Sequence, residues 1–576
     1  YKFFYFGRDM KTLNLHCDYI RFTALKKALR NIEEIAPGQT MEGESKDCLV
    51  VMVAVEKGDS LGVARDLMTS ITEIASQVQT KNIVLYPYAH LSSNLGKPSL
   101  AIEILDGTAK KLKDFEVVQA PFGYYKSFEL KVKGHPLSEL SREIGNEIIS
   151  GNEEEITEED RKQLLREVSR AKLDTSKLKE NDHRIIGSKL DLWSFNNVAP
   201  GMVFWHPKGL HIKNKLIEFW RELHRRENYS EISTPQILDK KLWEISGHWT
   251  KYGDSNFKTQ YEKRDFLVKP MNCPGGMIIY KTSPKSYKNF PLRVGEMGTV
   301  HRVELSGVLA GLFRVIQFTQ DDAHIFCTEK QLEEEVGKVI DLTIEIFETF
   351  GLKFDHVELS TRPEKRIGED SFWNFAEKAL ENILKKRKMK FVLNKGDGAF
   401  YGPKIDFHVM DSLKRTWQCS TIQLDMALPE RFDLVYQAED GKEKRPIMLH
   451  RAIYGSLERF LGIVTEHLDG KYPLWLSPNQ IKVMTLNDDV KDYAQEVYQK
   501  LFDAGFEVEL NDKSESMGKK AREAQVQRFN YLVTVGESEK KDCMIAVRNR
   551  NSKEIEQMNI GDFVTQLKKE INERTL

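Results

Sequence analysis

Long apolar runs are missing from this chain. No stretch approaches the roughly 20 uninterrupted apolar residues that a membrane-spanning helix needs. The opening residues YKFFYFGRDMKTLNL lack the basic, apolar and small-residue succession of a secretory leader. No membrane association is expected, and the cytoplasm is the expected compartment. Cysteine is scarce: six, at positions 17, 48, 273, 327, 419 and 543, are scattered over 576 residues without the spacing of a disulfide framework. They read as reduced thiols or ligands. An excess of one charge is also missing. Lys+Arg 86 against Asp+Glu 87 leaves a net charge of −1, so no global basic field announces nucleic acid, and any RNA binding must rest on local patches. Neither a GxxxxGK[ST] loop nor a strand-anchored GxGxxG is present, which excludes the common phosphate-cradling loops as a route to ATP.

What is present is enough for several cores. A chain of 576 residues exceeds what one hydrophobic core supports, and 40% hydrophobic with 30% charged residues is ordinary for a globular protein. Residues 10–146 alternate short apolar runs, CLVVMVAV (48–55) and NIVLYPY (82–88), with helical stretches, as an α/β domain does. From Gly151 the text EEEITEEDRKQLLREVSRAK is charged and helix-favouring, so residues 147–192 are expected to be a helical linker. In HIKNKLIEFWRELHRR (211–226), Ile212, Leu216, Phe219, Trp220 and Leu223 share one helical face. That helix opens a domain spanning 193–474, in which LVKPM, VIQFTQ, KIDFHVM and TWQCSTIQL predict a mixed, mainly antiparallel sheet. After YPLWLSP, residues 475–576 alternate as βαβαββ and predict a small module with a largely parallel sheet. The fold class is therefore α/β and α+β, multidomain.

Reactive residue types concentrate in the middle domain, in KPMNCPGG (269–276), GTVHRVELSG (298–307), FRVIQFTQDDAHIF (313–326), YGPKIDF (401–407), TWQCSTIQL (416–424) and LHRAIYGSLERF (449–460). Cys273, His324 and His450 are able to bind zinc and leave a fourth position open, although ligands this far apart carry no periodic signature, and spacing alone favours packed or surface residues. HRVE is expected on a strand, where Arg302 has the chemistry to face a phosphate and Glu304, two residues later on the same side, to bond a base edge; a structural salt bridge between them explains the pair equally well. Arg459 follows the small-residue turn Gly455–Ser456, so a helical arginine is placed to reach a polyphosphate.

Taken together these strings resemble the class II aminoacyl-tRNA synthetases, and among them the threonyl-tRNA synthetases. Residues 211–235, ending in Pro235, look like the first class motif; HRVE with its loop and Phe318 looks like the second; YGSLERF with Arg459 looks like the third. NCPG, FTQDDAHIF, FYGPKIDF, WQCSTIQL and LHRA are similar to the strings particular to the threonine enzymes. The resemblance implies one zinc per chain on Cys273, His324 and His450, with Asp322 on the substrate ammonium and Gln320 and Tyr401 in the amino-acid pocket. It implies that Arg302 meets the α-phosphate of ATP and Arg459 the γ-phosphate. Glu304 is implied at the adenine amino group and Phe318 stacked on the ring, with Arg314, Lys404 and Gln418 completing these contacts. Mg²⁺ is expected with ATP. His248, in SGHWTKYGD, matches a histidine placed near the tRNA terminal ribose. The implied partners are tRNA(Thr), ATP, threonine and a second copy of the chain, since the first motif builds a dimer interface in this class.

The flanking segments extend the resemblance. LHCDYI, YPYAHLSS, APFGYYKSFEL and KGHPLSEL are similar to the archaeal-type editing domain of these synthetases, which is related to D-aminoacyl-tRNA deacylases; His90, Tyr125, Lys126 and Glu139 match its pocket positions. The last hundred residues resemble the α/β anticodon-binding domain, with Glu539 and Arg548 where bases are read. Two departures stand out. Ser514 replaces an asparagine common in the family, and Gly276 replaces a histidine after CPG. The rival readings are a synthetase-like RNA-binding module that has lost charging, and a metal-dependent hydrolase.

Overall fold

The computed structural model describes residues 10–29, 41–144 apart from 58 and 93, 161, 162, 165, 178–252, and 256–576 apart from 263. The chain divides into two compact units, residues 1–157 and 158–576. Most of the expected helical linker lies outside the described residues.

The first unit is built on one long strand. β1 (Met10–Lys27) pairs over Lys11–Thr23 with the whole of β2 (Glu42–Ala54). Its other edge carries two partners end to end: β6 (Glu139–Ile144) beside Met10–Leu15, and β5 (Tyr124–Val132) beside Cys17–Lys27. β3 (Asn82–Pro87) and β4 (Glu116–Gln119) add in parallel beyond β2. Helices α1 (Val63–Gln77) and α2 (Pro98–Lys111) cover one face, where Leu67, Ile71, Ile74, Ile104 and Leu105 meet Leu49, Val51, Val53, Ile83 and Leu85. Val50, Met52, Val84 and Tyr86 form a second cluster from the alternate positions. That is why CLVVMVAV reads as a continuous apolar run: a central strand buried on both faces has no polar side to alternate with.

The second unit begins its core at the short helix His183–Lys189, where Ile186, Leu190 and Leu192 join the main cluster. Helix α3 (Pro207–Arg226) starts on a proline and buries Ile212, Leu216, Phe219, Trp220 and Leu223, the face that the periodicity predicts. The central sheet comprises β7 (Ser230–Glu231), β8 (Leu292–His301), β9 (Gln317–Cys327), β10 (Lys353–Ser360), β11 (Val392–Asn394), β12 (Lys404–Met410), β13 (Thr416–Asp425) and β14 (Ile447–Ala452). Their spatial order is β11-β10-β12-β13-β14-β9-β8-β7. Every internal pairing is antiparallel; only the outermost pairs, β11/β10 and β7/β8, are parallel. Helices α5 (Leu332–Thr349) and α6 (Asp370–Lys386) cover one face through Val336, Val339, Ile340, Leu380 and Leu384. Helices α4 (Cys273–Tyr280) and α7 (Leu457–His467) frame the candidate site.

The C-terminal part is a five-stranded sheet in the order β16 (Val508–Asn511), β15 (Ile481–Thr485), β17 (Tyr531–Val535), β18 (Ile545–Asn549), β19 (Glu556–Met558). The first three strands are parallel and the last two antiparallel. Helices α8 (Lys491–Asp503) and α9 (Met517–Val526) follow the pattern read in the sequence, and α10 (Glu537–Asp542) and α11 (Ile560–Glu573) add to it.

Candidate active site

Two neighbouring strands and one helix start bring the distant ligand candidates together. His324 on β9 stands directly opposite His450 on β14, and their rings meet edge to face with centroids 5.0 Å apart. Cys273 is the first residue of α4. All three are buried, and one donor atom from each lies within 4.8 Å of the others. The donor set suits zinc: one thiol, two imidazoles and no exposure to bulk water. His324 Nε2 is buried without a hydrogen-bond partner, which leaves a lone pair for a cation. His450 Nε2 lies 2.8 Å from Asp425 Oδ2, the carboxylate–imidazole contact that orients a metal-binding ring. Burial pushes the Cys273 thiol up and the His324 imidazole down, so in the metal-free protein both are neutral.

A cavity of about 320 Å³ opens beside this trio, lined among others by Arg302, Gln320, Asp322, Tyr401 and Gln423. Side-chain alternation explains the set: Gln320, Asp322 and His324 occupy every second position of β9 and share a face. Asp322 is held by Asn272 at 3.3 Å, and burial pushes its carboxyl up. Tyr401 donates to Gln423 Oε1 at 2.6 Å, and Gln423 is the β13 partner of His450. Asp321, between Gln320 and Asp322, faces the other way. It accepts from the backbone amides of Ile453, Tyr454 and Gly455 at 2.8, 3.0 and 2.9 Å and so anchors the turn that leads into α7. Gly455 occupies the left-handed region at φ 80°, and a Cβ there would sit 2.5 Å from the Cys419 carbonyl oxygen, so the turn requires glycine.

The nucleotide candidates form a second group. β8 ends at His301, so Arg302 and Glu304 sit on the extended segment that leaves the strand rather than on the strand itself. They do not bridge each other. Arg302 lies 5.2 Å from the Phe318 ring centroid, and Glu304 pairs with Arg314 at 3.0 Å. Lys404 and Gln418 converge on the buried Asp406, at 2.8 and 2.7 Å. Arg459 enters α7 behind its Ser456 cap and lies over Trp417 at 5.5 Å, with its buried Nε unpartnered. The first-motif stretch is pinned by a buried ion pair, Lys269–Glu296 at 3.0 Å, whose carboxylate also takes the Thr234 amide at 2.8 Å. His248 is buried, with Nδ1 on Ser246 Oγ and Nε2 on the cavity-lining Met271; burial lowers it to about 3 and keeps it neutral.

The outlying candidates scatter more. In the first unit Lys126 donates to the carbonyls of Pro121 (2.9 Å) and Tyr124 (3.3 Å) and sits over Tyr86; an aromatic run continues from Tyr86 through Tyr88 to His90. Tyr125 is 57% exposed under Lys26, and Glu139 pairs with Leu15, nine positions along β1 from the Ala24 partner of Lys126. In the C-terminal sheet Glu539 accepts from the Gly536 amide (2.9 Å) and from Gln557 (3.0 Å), capping its own helix, while Arg548 sits on β18 opposite Leu532. Ser514 donates to Asp488 at 3.0 Å. Four contributors escaped the sequence reading: Asp425, Asp321, Gln423 and Asp406. Strand alternation within KIDFHVM and TWQCSTIQL is the signal that points to Asp406 and Gln423.

Comparison with known proteins accords with this geometry. A crystal structure described as the RNA-binding domain of threonyl-tRNA synthetase from Cryptosporidium parvum Iowa II matches with a TM-score of 0.66 and 41% identity, over 67% of this chain and 98% of that one. The chain belongs to the threonyl-tRNA synthetase family. Residues 256–468 match the class II tRNA synthetase core domain of the G, H, P, S and T enzymes. Residues 10–144 match the Archaea-specific editing domain of threonyl-tRNA synthetase, and residues 480–570 an anticodon-binding domain. The threonine–tRNA ligase of Carboxydothermus hydrogenoformans is 50% identical over 396 residues, and that of Clostridioides difficile 48% over 396; each alignment covers 69% of this chain. The chain spans 62% of the length of these curated relatives. No helix among the described residues is long and apolar enough to cross a membrane.

Proposed function

We propose that the chain is a threonine–tRNA ligase: it activates threonine with ATP and passes the threonyl group to the 3′ end of tRNA(Thr). The observation that carries this reading is the buried Cys273, His324 and His450 set beside Asp322 in one cavity. Threonine and valine are nearly isosteric, and an apolar pocket separates such a pair by only about a hundredfold. A zinc ion on these three residues supplies, when bound, open positions that a hydroxyl-bearing amino acid fills and valine does not. Asp322 takes the substrate ammonium, with Gln320, Tyr401 and Gln423 around the side chain. The substrate carboxylate bonds to the α-phosphorus of ATP while the bond to the departing pyrophosphate breaks. Arg302 neutralises the α-phosphate, Arg459 the γ-phosphate, Phe318 stacks on adenine and Glu304 accepts from its amino group. Glu304 must leave Arg314 to do so, which frees Arg314 for phosphate. Lys404 and Gln418, fixed by Asp406, complete the nucleotide contacts. Mg²⁺ accompanies the ATP. His248, neutral by burial, is the candidate proton acceptor in acyl transfer.

Serine has the hydroxyl and lacks one methyl, a difference of only about 1–3 kcal/mol, so a second sieve is needed. We assign it to residues 10–146, with His90, Tyr125, Lys126 and Glu139. Residues 193–474 are the catalytic domain, 147–192 the connector, and 475–576 the anticodon-binding domain with Glu539 and Arg548. The enzyme works as a cytoplasmic homodimer. ATP–pyrophosphate exchange tests the reading: exchange is expected with threonine, weaker exchange with serine, and none with valine. Absence of threonine-dependent exchange in zinc-loaded protein overturns it in favour of an RNA-binding module.

A further inference from the structure

A second set of metal-binding side chains stands on the central sheet, away from the Cys273 trio. β10 and β12 run antiparallel with His356 opposite His408, and the two imidazoles stack with centroids 4.2 Å apart and planes 12° from parallel. Glu358 lies two residues along β10, on the same face, while the alternate residues Val357, Leu359, Ile405 and Phe407 enter the helix-covered core. One Glu358 oxygen is 3.2 Å from His356 Nε2, and the other is 3.7 Å from His408 Nε2. One donor atom from each residue lies within 4.8 Å of the others. Donors bound tetrahedrally at zinc–nitrogen and zinc–oxygen lengths stand about 3.4 Å apart, so little movement is needed to close them on one ion.

Two further features favour a cation over a self-contained polar cluster. His408 Nε2 is buried and has no hydrogen-bond partner, a state that costs free energy unless something pairs with it, and in the tautomer protonated on Nδ1 it offers a lone pair to a cation. The surroundings are also those of a held ligand set. His356 Nδ1 is bonded to Asp355 at 2.7 Å, Asp355 accepts from Thr416 at 3.0 Å, and Glu358 accepts from Asn394 at 2.9 Å. A carboxylate on the far nitrogen of an imidazole fixes its tautomer and strengthens it as a ligand. Two carboxylates beside two imidazoles give the pocket a negative balance. In the trio Asp182, His183 and Glu466 the imidazole is engaged at both nitrogens, Nδ1 by Glu466 at 2.7 Å and Nε2 by the Leu312 amide at 2.9 Å; His356 is likewise bonded to Asp355 and Glu358, and it is the unpartnered Nε2 of His408 that sets the present cluster apart.

We propose that His356, Glu358 and His408 form a second site for a divalent transition-metal ion of the zinc, cobalt(II) or nickel(II) class. The site would tie β10 to β12 with Glu358 directly opposite Asp406, which holds Lys404 and Gln418, and the two histidines two residue pairs further on. The test uses the full chain, stripped with a chelator, reloaded with cobalt(II) and freed of excess metal by gel filtration. Cobalt per chain is counted by elemental analysis and its ligands are read from the visible spectrum. The wild-type chain is expected to hold two ions. Cys273→Ser should lose the thiolate-to-cobalt absorption and keep an ion with oxygen and nitrogen ligands. The double variant H356Q/H408Q should lose one equivalent and keep the thiolate band, and Glu358→Gln, which retains both rings, should also release that ion. If the wild-type chain holds one ion and the double variant loses it, this site stands and the active-site assignment fails. If H356Q/H408Q and Glu358→Gln both retain the wild-type complement, the proposal is overturned.

Discussion

Asp425 ends β13 with a fully buried carboxylate that has two duties: Oδ2 lies 2.8 Å from His450 Nε2, and Oδ1 accepts from the amides of Ala427 (2.8 Å) and Leu428 (3.0 Å). Asp425→Asn separates them. An asparagine oxygen still accepts the two amides, so the turn keeps its hydrogen bonds and the metal-free protein should lose only about 1 kcal/mol. The amide nitrogen donates and cannot accept a proton from His450. The imidazole must then carry its proton on Nδ1, the nitrogen left for a metal. Loss of such an orienting carboxylate costs about 10–100-fold in metal affinity, or about 1.4–2.7 kcal/mol at 1.36 kcal/mol per decade. Zinc affinity, measured by competition with a fluorescent chelator, should therefore fall by one to two decades while the metal-free urea midpoint barely moves. Threonine-dependent pyrophosphate exchange should recover when free zinc is raised by the same factor. Wild-type zinc affinity in Asp425→Asn would refute the reasoning. It would leave Asp425 as a cap for the helix Ala427–Arg431 and remove His450 from the ligand set.

Two further outcomes follow from buried groups. Asp321→Ala leaves three amides without an acceptor and, at about 1–3 kcal/mol for each such group with incomplete additivity, should lower stability by about 3–5 kcal/mol in urea unfolding; a loss under 1 kcal/mol would show that the turn at Gly455 is held otherwise. Burial lowers Lys126 to about 8, so its ammonium is lost as pH rises through that value; hydrolysis of seryl-tRNA(Thr) should fall across the same range, and Lys126→Arg should abolish the inflection. The sign for stability is opposite: below pH 8 the buried ammonium costs stability in full, and the cost fades as pH rises toward the unfolded lysine value, so the midpoint of the wild-type first unit should climb there relative to Lys126→Met.

The fold was legible wherever one periodicity dominated. The apolar face of α3 emerged at the predicted positions because a helix against a core needs that stripe, and KIDFHVM and TWQCSTIQL became β12 and β13 because their apolar residues alternate. HRVE misled, because a run that looks like strand also serves as the extended exit from one, and β8 stops at His301. The helices α10 and α11 escaped notice since short or strongly polar segments take their helicity from docking, Phe563 and Leu567 against the C-terminal core. The parallel outer pairs of the central sheet involve strands of two or three residues, too short to carry a pattern.

The site was legible in composition and illegible in wiring. Family strings gave Cys273, His324, His450 and Asp322, yet the residues that hold them were passed over because a carboxylate that positions another group looks in sequence like one that meets substrate. TQDDAH makes the point within two residues. Asp322 faces the cavity, while Asp321, one position earlier on the strand, faces the opposite way and anchors the turn before Arg459. Strand geometry alone says that the two differ, but only the partner strand says which is which: β14 brings His450 to the cavity face and ends so that the amides of 453–455 reach Asp321. Glu458 repeats the logic in YGSLERF. It is buried beside Arg459, takes the Thr319 amide at 2.7 Å and Lys213 at 3.1 Å, and so locks α7 to β9 and α3. The three stretches that resemble the class motifs are thus coupled through one carboxylate, Glu458. A substitution there should act on the position of Arg459 rather than on the charge it carries.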